Sequence, residues 1–238
     1  MKQLLILSGK GGTGKTTVAG AFIKLLDAKA YADCDVDAPN LHLIMNETDE
    51  PARKDYFGLP KAEIDQSACI GCDLCRQNCR FDAIKFSGSY QIDYYACEGC
   101  GVCQIVCPVN AITLKPAVAG ELMLYSNSDR VFSTAQLKMG SGTSGMLVSE
   151  VKKQMINAAI DADIAIIDGS PGIGSPVIAS IRGVDMVLIV SEPSISFFFN
   201  VTATTGVENL TGGSPDGVLN TGSTGYRPDR SQPRLSHH

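Results

Sequence analysis

Leu4 to Leu7 form an unbroken aliphatic run near the start of the chain. A short apolar run of this kind predicts a strand buried on both faces, as in a parallel sheet covered by helices. A glycine-rich stretch follows, and TTVAGAFIKLL, Thr16 to Leu26, then predicts a helix. Ala30 to Asp33 predicts a short second strand that ends in the acidic series DCDVDAPNL. Between Leu59 and Pro116 the rhythm changes to short segments punctuated by cysteines. Afterwards the earlier pattern returns. Ser144 to Ile160 predicts a helix, while DIAII before Asp168 and DMVLIV ending at Val190 predict two more strands. The alternation points to an α/β fold with a small α+β module inserted after the second strand. The expected divisions are 1–58 and 117–201 for the two parts of the larger domain, with 59–116 as the insertion.

The 238 residues leave room for one sizeable core and a satellite domain. A formal charge of -5 without a basic tract argues against nucleic-acid binding. No window reaches about 18 uninterrupted apolar residues, so no membrane span is expected. MKQLLILSG lacks a cleavage site and reads as a buried strand, not a signal peptide, which points to a cytoplasmic protein. From Thr202 to His238 the chain is rich in Gly, Ser, Thr and Pro without an apolar period, and a low-complexity, poorly ordered tail is expected there.

The glycine-rich stretch has the form Gly9-x-x-x-x-Gly14-Lys15-Thr16, the phosphate-loop pattern. Gly9, Gly11, Gly12, Thr13 and Gly14 allow successive backbone N–H groups to turn around phosphate oxygens. Lys15, Thr16 and Thr17 open the helix behind them, which presents its positive end. Lys15 is placed to neutralise terminal phosphates, and the Thr16 hydroxyl to reach Mg2+. Asp168 ends an aliphatic run, so it projects from the carboxyl end of a strand and suits the Mg2+ shell. GSPGIG behind it is a candidate γ-phosphate-sensing loop. Among Asp33, Asp35 and Asp37, Asp35 is the candidate that orients the attacking water; the others read as turn or capping residues. Lys10, between two glycines, exceeds what simple phosphate binding needs.

Eight of the nine cysteines lie between positions 69 and 107. Cys69, Cys72, Cys75 and Cys79 form one C-x2-C-x2-C-x3-C run, and Cys97, Cys100, Cys103 and Cys107 form another. This is the bacterial ferredoxin spacing for two 4Fe-4S clusters, in which the fourth cysteine of each run serves the other cluster. One cluster is therefore expected on Cys69, Cys72, Cys75 and Cys107, the other on Cys97, Cys100, Cys103 and Cys79. Thiolates are soft, charged ligands suited to iron. Zinc also accepts four thiolates, but it usually draws on two separated pairs. Arg80 stands where the first run would ordinarily have proline, so a looser turn is expected there. The repeated Ala83-Ile84 and Ala111-Ile112 suggest an internal duplication in which each isoleucine packs a strand. Cys34 reads as a small buried hydrophobe.

GKGGTGKTT resembles the deviant Walker A loop of MinD/ParA-type ATPases, a class that includes Mrp-type cluster carriers and the nitrogenase iron protein. DCDVDAPNLHL, the cysteine quartets, SGMLVSEVKKQ and IIDGSPGIGSPV extend the resemblance over residues 1–193, to members with an inserted ferredoxin domain. It implies a P-loop NTPase sheet, ATP hydrolysis and a homodimer that forms on ATP binding. Lys10 would then reach across to the phosphates of the partner subunit. Beyond Pro193 the resemblance stops, and a truncated or altered end is expected, without the usual base-contacting segment. Three functions stay open. The first is an ATPase that gates electron transfer to a redox partner protein. The second is a cluster scaffold or carrier. The third is an electron-transfer module with an inert ATPase half. Two complete, crossed sites favour cluster retention, and so weigh against the carrier.

Overall fold

A computed structural model describes residues 1–47, 49–159 and 161–191. The expected tail at 202–238 and the segment beyond Pro193 lie outside these residues.

The aliphatic run forms β1, Lys2–Ser8, the second strand across a seven-stranded sheet. Helix α1, Lys15–Leu25, follows the glycine loop, and β2, Ala30–Asp33, comes next. A short α2, Leu41–Met45, leads to β3, Ala52–Phe57. The cysteine module then intervenes. The chain rejoins the sheet as β8, Val118–Ser126, and β9, Val131–Leu137. The last described elements are α5, Ser144–Ala158; β10, Ile164–Asp168; α6, Ser175–Ile181; and β11, Met186–Val190. The sheet order is β11-β1-β10-β2-β9-β8-β3. The first five of these run parallel, while β8 is antiparallel to β9, and β3 to β8.

Alternation along the strands separates two apolar layers, since successive side chains face opposite sides. Leu5 and Leu7 pack with α5 and α6, whereas Leu4 and Ile6 pack with α1 and α2. Tyr31 stacks on Phe132 in the second layer, with ring centroids 5.1 Å apart. Lys152 of α5 is buried; its Nζ donates to the carbonyls of Ser180 and Arg182 at 2.6 Å. This fixes the C-terminal end of α6 with a cation, as the helix dipole favours.

The module departs from the sheet after β3, not directly after β2. Its stem is the antiparallel pair of β4, Lys61–Ile64, and β7, Ile112–Lys115. Between them lie α3, Leu74–Gln77; the hairpin of β5, Ile84–Phe86, and β6, Tyr90–Ile92; and α4, Val102–Ile105. The duplication is visible in the backbone. The Cys69 and Cys97 N–H groups donate to the carbonyls of Asp65 and Asp93, and Asp65 and Asp93 donate to those of Ala111 and Ala83. Ile84 and Ile112 are both buried.

Candidate nucleotide and iron–sulfur sites

The phosphate loop joins the carboxyl end of β1 to α1. Gly12 and Gly14 adopt φ of 81° and 84°, where a side chain would be strained. A Cβ at Gly11 would meet nothing of the chain within 4 Å. Its missing side chain therefore serves no packing need and leaves room for a close-approaching ligand. The Ser8 hydroxyl donates to the Lys10 carbonyl at 2.9 Å, which ties the start of the loop to β1. Lys10 itself is exposed, as are Gly11, Gly12, Gly14 and Thr17, whereas Gly9, Thr13 and Thr16 are half-buried.

Lys15 and Asp168 are both buried and form an ion pair, although 152 residues lie between them. Sheet order explains their meeting: β1 and β10 are parallel neighbours, with Ile6 opposite Asp168. Burial raises the Asp168 pKa from its ordinary value, opposed by Lys15 and the Thr16 hydroxyl. Its Oδ2 is buried with no hydrogen-bond partner among the described residues. An orphaned carboxylate oxygen beside a hydroxyl and a phosphate loop suits a hard, oxygen-preferring cation such as Mg2+. The loop behind Asp168 is held close: Gly169 N–H donates to Ile6 O at 2.9 Å, and Gly172 N–H to Ser8 O at 3.2 Å. Gly169 cannot be replaced without movement, since its Cβ would lie 2.4 Å from Leu7 Cδ2.

The acidic series separates into three environments. Asp33 is fully buried and accepts N–H groups from Asp35, Asn40 and Leu41 at 2.9–3.0 Å. It therefore anchors the turn into α2. Burial and the nearby Asp168 charge push its pKa up to about 6, against the Leu41 and Asp35 amides. Asp35 is half-buried and its pKa is raised, chiefly by burial and against the attraction of Lys15. Asp37 is exposed.

In the module, Cys69, Cys72, Cys75 and Cys107 line one cavity, and Cys79, Cys97, Cys100 and Cys103 line another. This is the grouping that crossed ligation requires. The cavities enclose about 330 and 370 Å3 of non-atom space, part of it open to solvent. All eight thiols are free. Among the described residues, no three Cys, His, Asp or Glu side chains converge on a single ion-sized point. Four thiols line each cavity, a donor set that fits a 4Fe-4S cluster. The Ala111 N–H donates to Cys107 Sγ at 3.2 Å, the type of amide contact that tunes a ligating sulfur. Cys34 is fully buried in the sheet core, its thiol pushed up to about 12 by burial.

Residues 62–114 match the sequence profile of the 4Fe-4S dicluster domain. An uncharacterised protein of Methanocaldococcus jannaschii is 33% identical over 198 residues, spanning 82% of this chain and 68% of the relative. The chain belongs to the family of that protein. It carries a 4Fe-4S dicluster domain inserted in a mostly parallel α/β sheet whose first strand leads into a loop of phosphate-binding pattern. Similar solved structures include the septum site-determining protein MinD of Pyrococcus horikoshii with Mg-ADP, at 17% identity and TM-score 0.46, covering 92% of this chain and 68% of that one. Apo McdA of Cyanothece is similar at 21% identity and TM-score 0.45, with 92% and 69% covered. The cell division ATPase MinD of Pyrococcus furiosus stands at 17% and 0.45, also with 92% and 69% covered.

Within this family member the structure brings together Lys15, Thr16, Asp168 and the glycine loop, with the acidic series on the neighbouring strand. Asp33 was legible only as one of three acids. Its place as the last residue of the fully buried β2 is the signal that sets it apart as an anchor.

Proposed function

We propose that the chain couples ATP hydrolysis and nucleotide-dependent dimerisation to electron transfer through two 4Fe-4S clusters. The orphaned Asp168 oxygen beside Lys15 carries the nucleotide half of this reading, because it leaves an Mg2+-shaped demand beside the phosphate loop. In this reading the loop amides and Lys15 hold the ATP phosphates, while Thr16 and Asp168 hold Mg2+. Asp35, half-buried between Asp33 and the exposed Asp37, orients water for attack on the γ-phosphate. Lys10, exposed at the loop's mouth, supplies positive charge to the phosphates of a second copy when two chains close face to face.

Each thiol-lined cavity holds one 4Fe-4S cluster, which when bound accepts and gives up one electron. The chain's own part is to hold that cluster with four thiolates and to set its potential by burial, amides and nearby charge. A redox partner protein supplies and receives the electrons. Anaerobic MgATP hydrolysis by the iron-loaded protein, with clusters oxidised or dithionite-reduced, tests the coupling. Turnover that differs between the two states is expected. Absence of turnover in both would overturn the ATPase reading and leave an electron-transfer module.

A further inference from the structure

The two cysteine cavities stand differently toward the P-loop domain. Glu98 lies in the wall of the cavity of Cys79, Cys97, Cys100 and Cys103. It also lines a second hollow between module and sheet, together with Lys61, Tyr94 and the loop Ser141–Thr143. A Cβ at Gly142 would stand 3.3 Å from Glu98 Oε2, so the carboxylate lies against that loop. Lys61 donates to the Cys97 carbonyl and sits 5.3 Å from the Tyr94 ring centroid. The cavity of Cys69, Cys72, Cys75 and Cys107 shares no lining residue with this hollow.

The same loop leads into α5, whose N-cap residue is Thr143. Gly145 in the first turn approaches α6 so closely that its Cβ would be 3.0 Å from the Ser175 carbonyl oxygen. Ser175 opens α6 directly behind the Gly169–Gly174 loop, and Gly172 of that loop donates to Ser8 at the foot of the phosphate loop. Three close approaches therefore connect one cavity to the phosphate loop: the Glu98 carboxylate on Gly142, Gly145 on Ser175, and Gly172 on Ser8.

We propose that this seam makes the two cluster sites unequal, with Glu98 as the positioning residue. Nucleotide at the phosphate loop shifts the reduction potential of the site held by Cys79, Cys97, Cys100 and Cys103, and leaves the other site unmoved. The inference rests on the two-cluster, ATP-binding reading above. Its physical basis is the carboxylate's charge. A negative group beside a cluster opposes the arrival of an electron, so moving Glu98 relative to the cavity changes the potential. Linkage makes the effect reciprocal, and the oxidised and reduced proteins bind nucleotide with different affinity.

The test is an anaerobic dithionite titration of the full iron-loaded protein, followed by EPR, without nucleotide and with saturating MgADP. Two variants identify the couples. Lys61→Met removes a cation from beside Cys97 and lowers the potential of that site. Asp73→Asn removes a carboxylate from the other cavity's wall, where it pairs with Arg76 at 2.7 Å, and raises the potential there. Lys61→Gln serves as a second marker if Lys61→Met loads iron poorly. MgADP is expected to move only the couple that the Lys61 variant moves. Glu98→Gln is expected to keep full iron content and to shrink the nucleotide-dependent shift at least twofold. A shift on the couple marked by Asp73→Asn, an equal shift on both, or a full shift in Glu98→Gln overturns the seam. Failure of the loaded protein to bind MgADP, or iron content below two clusters, overturns instead the reading on which the seam depends, and the seam with it.

Discussion

The P-loop domain and the cysteine module are built on different sources of stability. In the sheet domain, Leu5, Ile6, Leu147, Ile166 and Ile167 are wholly buried, and apolar layers cover both faces. Each such side chain contributes roughly 1.5–3 kcal/mol by burial. The module's buried cluster is Ala62, Cys75, Ala83, Ile84, Tyr90, Cys97 and Ile112. Two of these are cysteines and two are alanines, so little apolar area remains to offset the entropy of ordering some 50 residues. The first domain folds around apolar side chains, whereas the second is expected to depend on metal held by its thiols.

Iron removal is therefore expected to have the largest effect, and an uneven one. Anaerobic chelation should remove hydrogen-exchange protection across residues 59–116 while β1, β10 and α5 stay protected. Uniform loss across both regions would show that the sheet depends on the module, and the contrast would break. Glycine substitution sharpens the comparison inside the module. Gly71 and Gly99 occupy matching places in the two cysteine runs and have φ of 71° and 62°. A Cβ at Gly71 meets nothing within 4 Å, whereas at Gly99 it would lie 2.1 Å from the Pro60 carbonyl oxygen. Gly71→Ala is expected to cost about 1–2 kcal/mol through backbone strain alone. Gly99→Ala must displace the backbone of the stem and should lose iron from the cavity of Cys79, Cys97, Cys100 and Cys103. Iron content and EPR of the two variants read the difference; equal loading would show that the stem gives way freely.

Leu147→Ala tests the opposite side. Leu147 is wholly buried between α5 and the sheet, and its truncation is expected to cost about 2–5 kcal/mol. Denaturant unfolding of the sheet domain measures this cost, while cluster absorbance in native buffer should be unchanged.

The sequence was most legible where one physical signal dominated. β1, β2, β10 and β11 stand out as apolar runs, and α1 and α5 fall within a residue or two of their expected spans. The edge of the sheet was not legible. β3 reads ARKDYF and buries only Tyr56, because an edge strand has one neighbour and needs no apolar alternation. β9 carries Ser133 and Thr134 in buried positions, and the Ser133 hydroxyl is satisfied by the Val151 carbonyl at 2.9 Å. Polar residues of that kind hide a strand from any hydrophobic pattern. The short α2 and α6 span too few turns to show a period. In the site, spacing revealed the phosphate loop and both cysteine runs, because local geometry imposes it. The meeting of Lys15 with Asp168, and of Glu98 with Gly142, depends on strand order and on how the module sits, which no local motif encodes.

The smallest expected effect concerns a charge that the sheet domain buries by its own means. The Asp33 pKa is about 6 in the fold, against an ordinary 3.8, because burial and the Asp168 charge outweigh the amides it accepts. The folded carboxyl thus holds its proton more tightly than the unfolded one. Its contribution to stability is greatest below about pH 4 and declines as pH rises toward 6, by no more than about 1.4 kcal/mol per pH unit. Urea midpoints of the sheet domain between pH 4.5 and 6.5 should fall more steeply in the native chain than in Asp33→Asn, which does not titrate. Asp168 is retained in both, and because its charge raises the Asp33 pKa, the difference in slope reports the coupled pair. Equal slopes would mean that the amides of Asp35, Asn40 and Leu41 keep Asp33 ionised throughout. In that case the amides, with the nearby Lys15 charge, sustain a buried carboxylate by means internal to the sheet domain and owe nothing to the cysteine module.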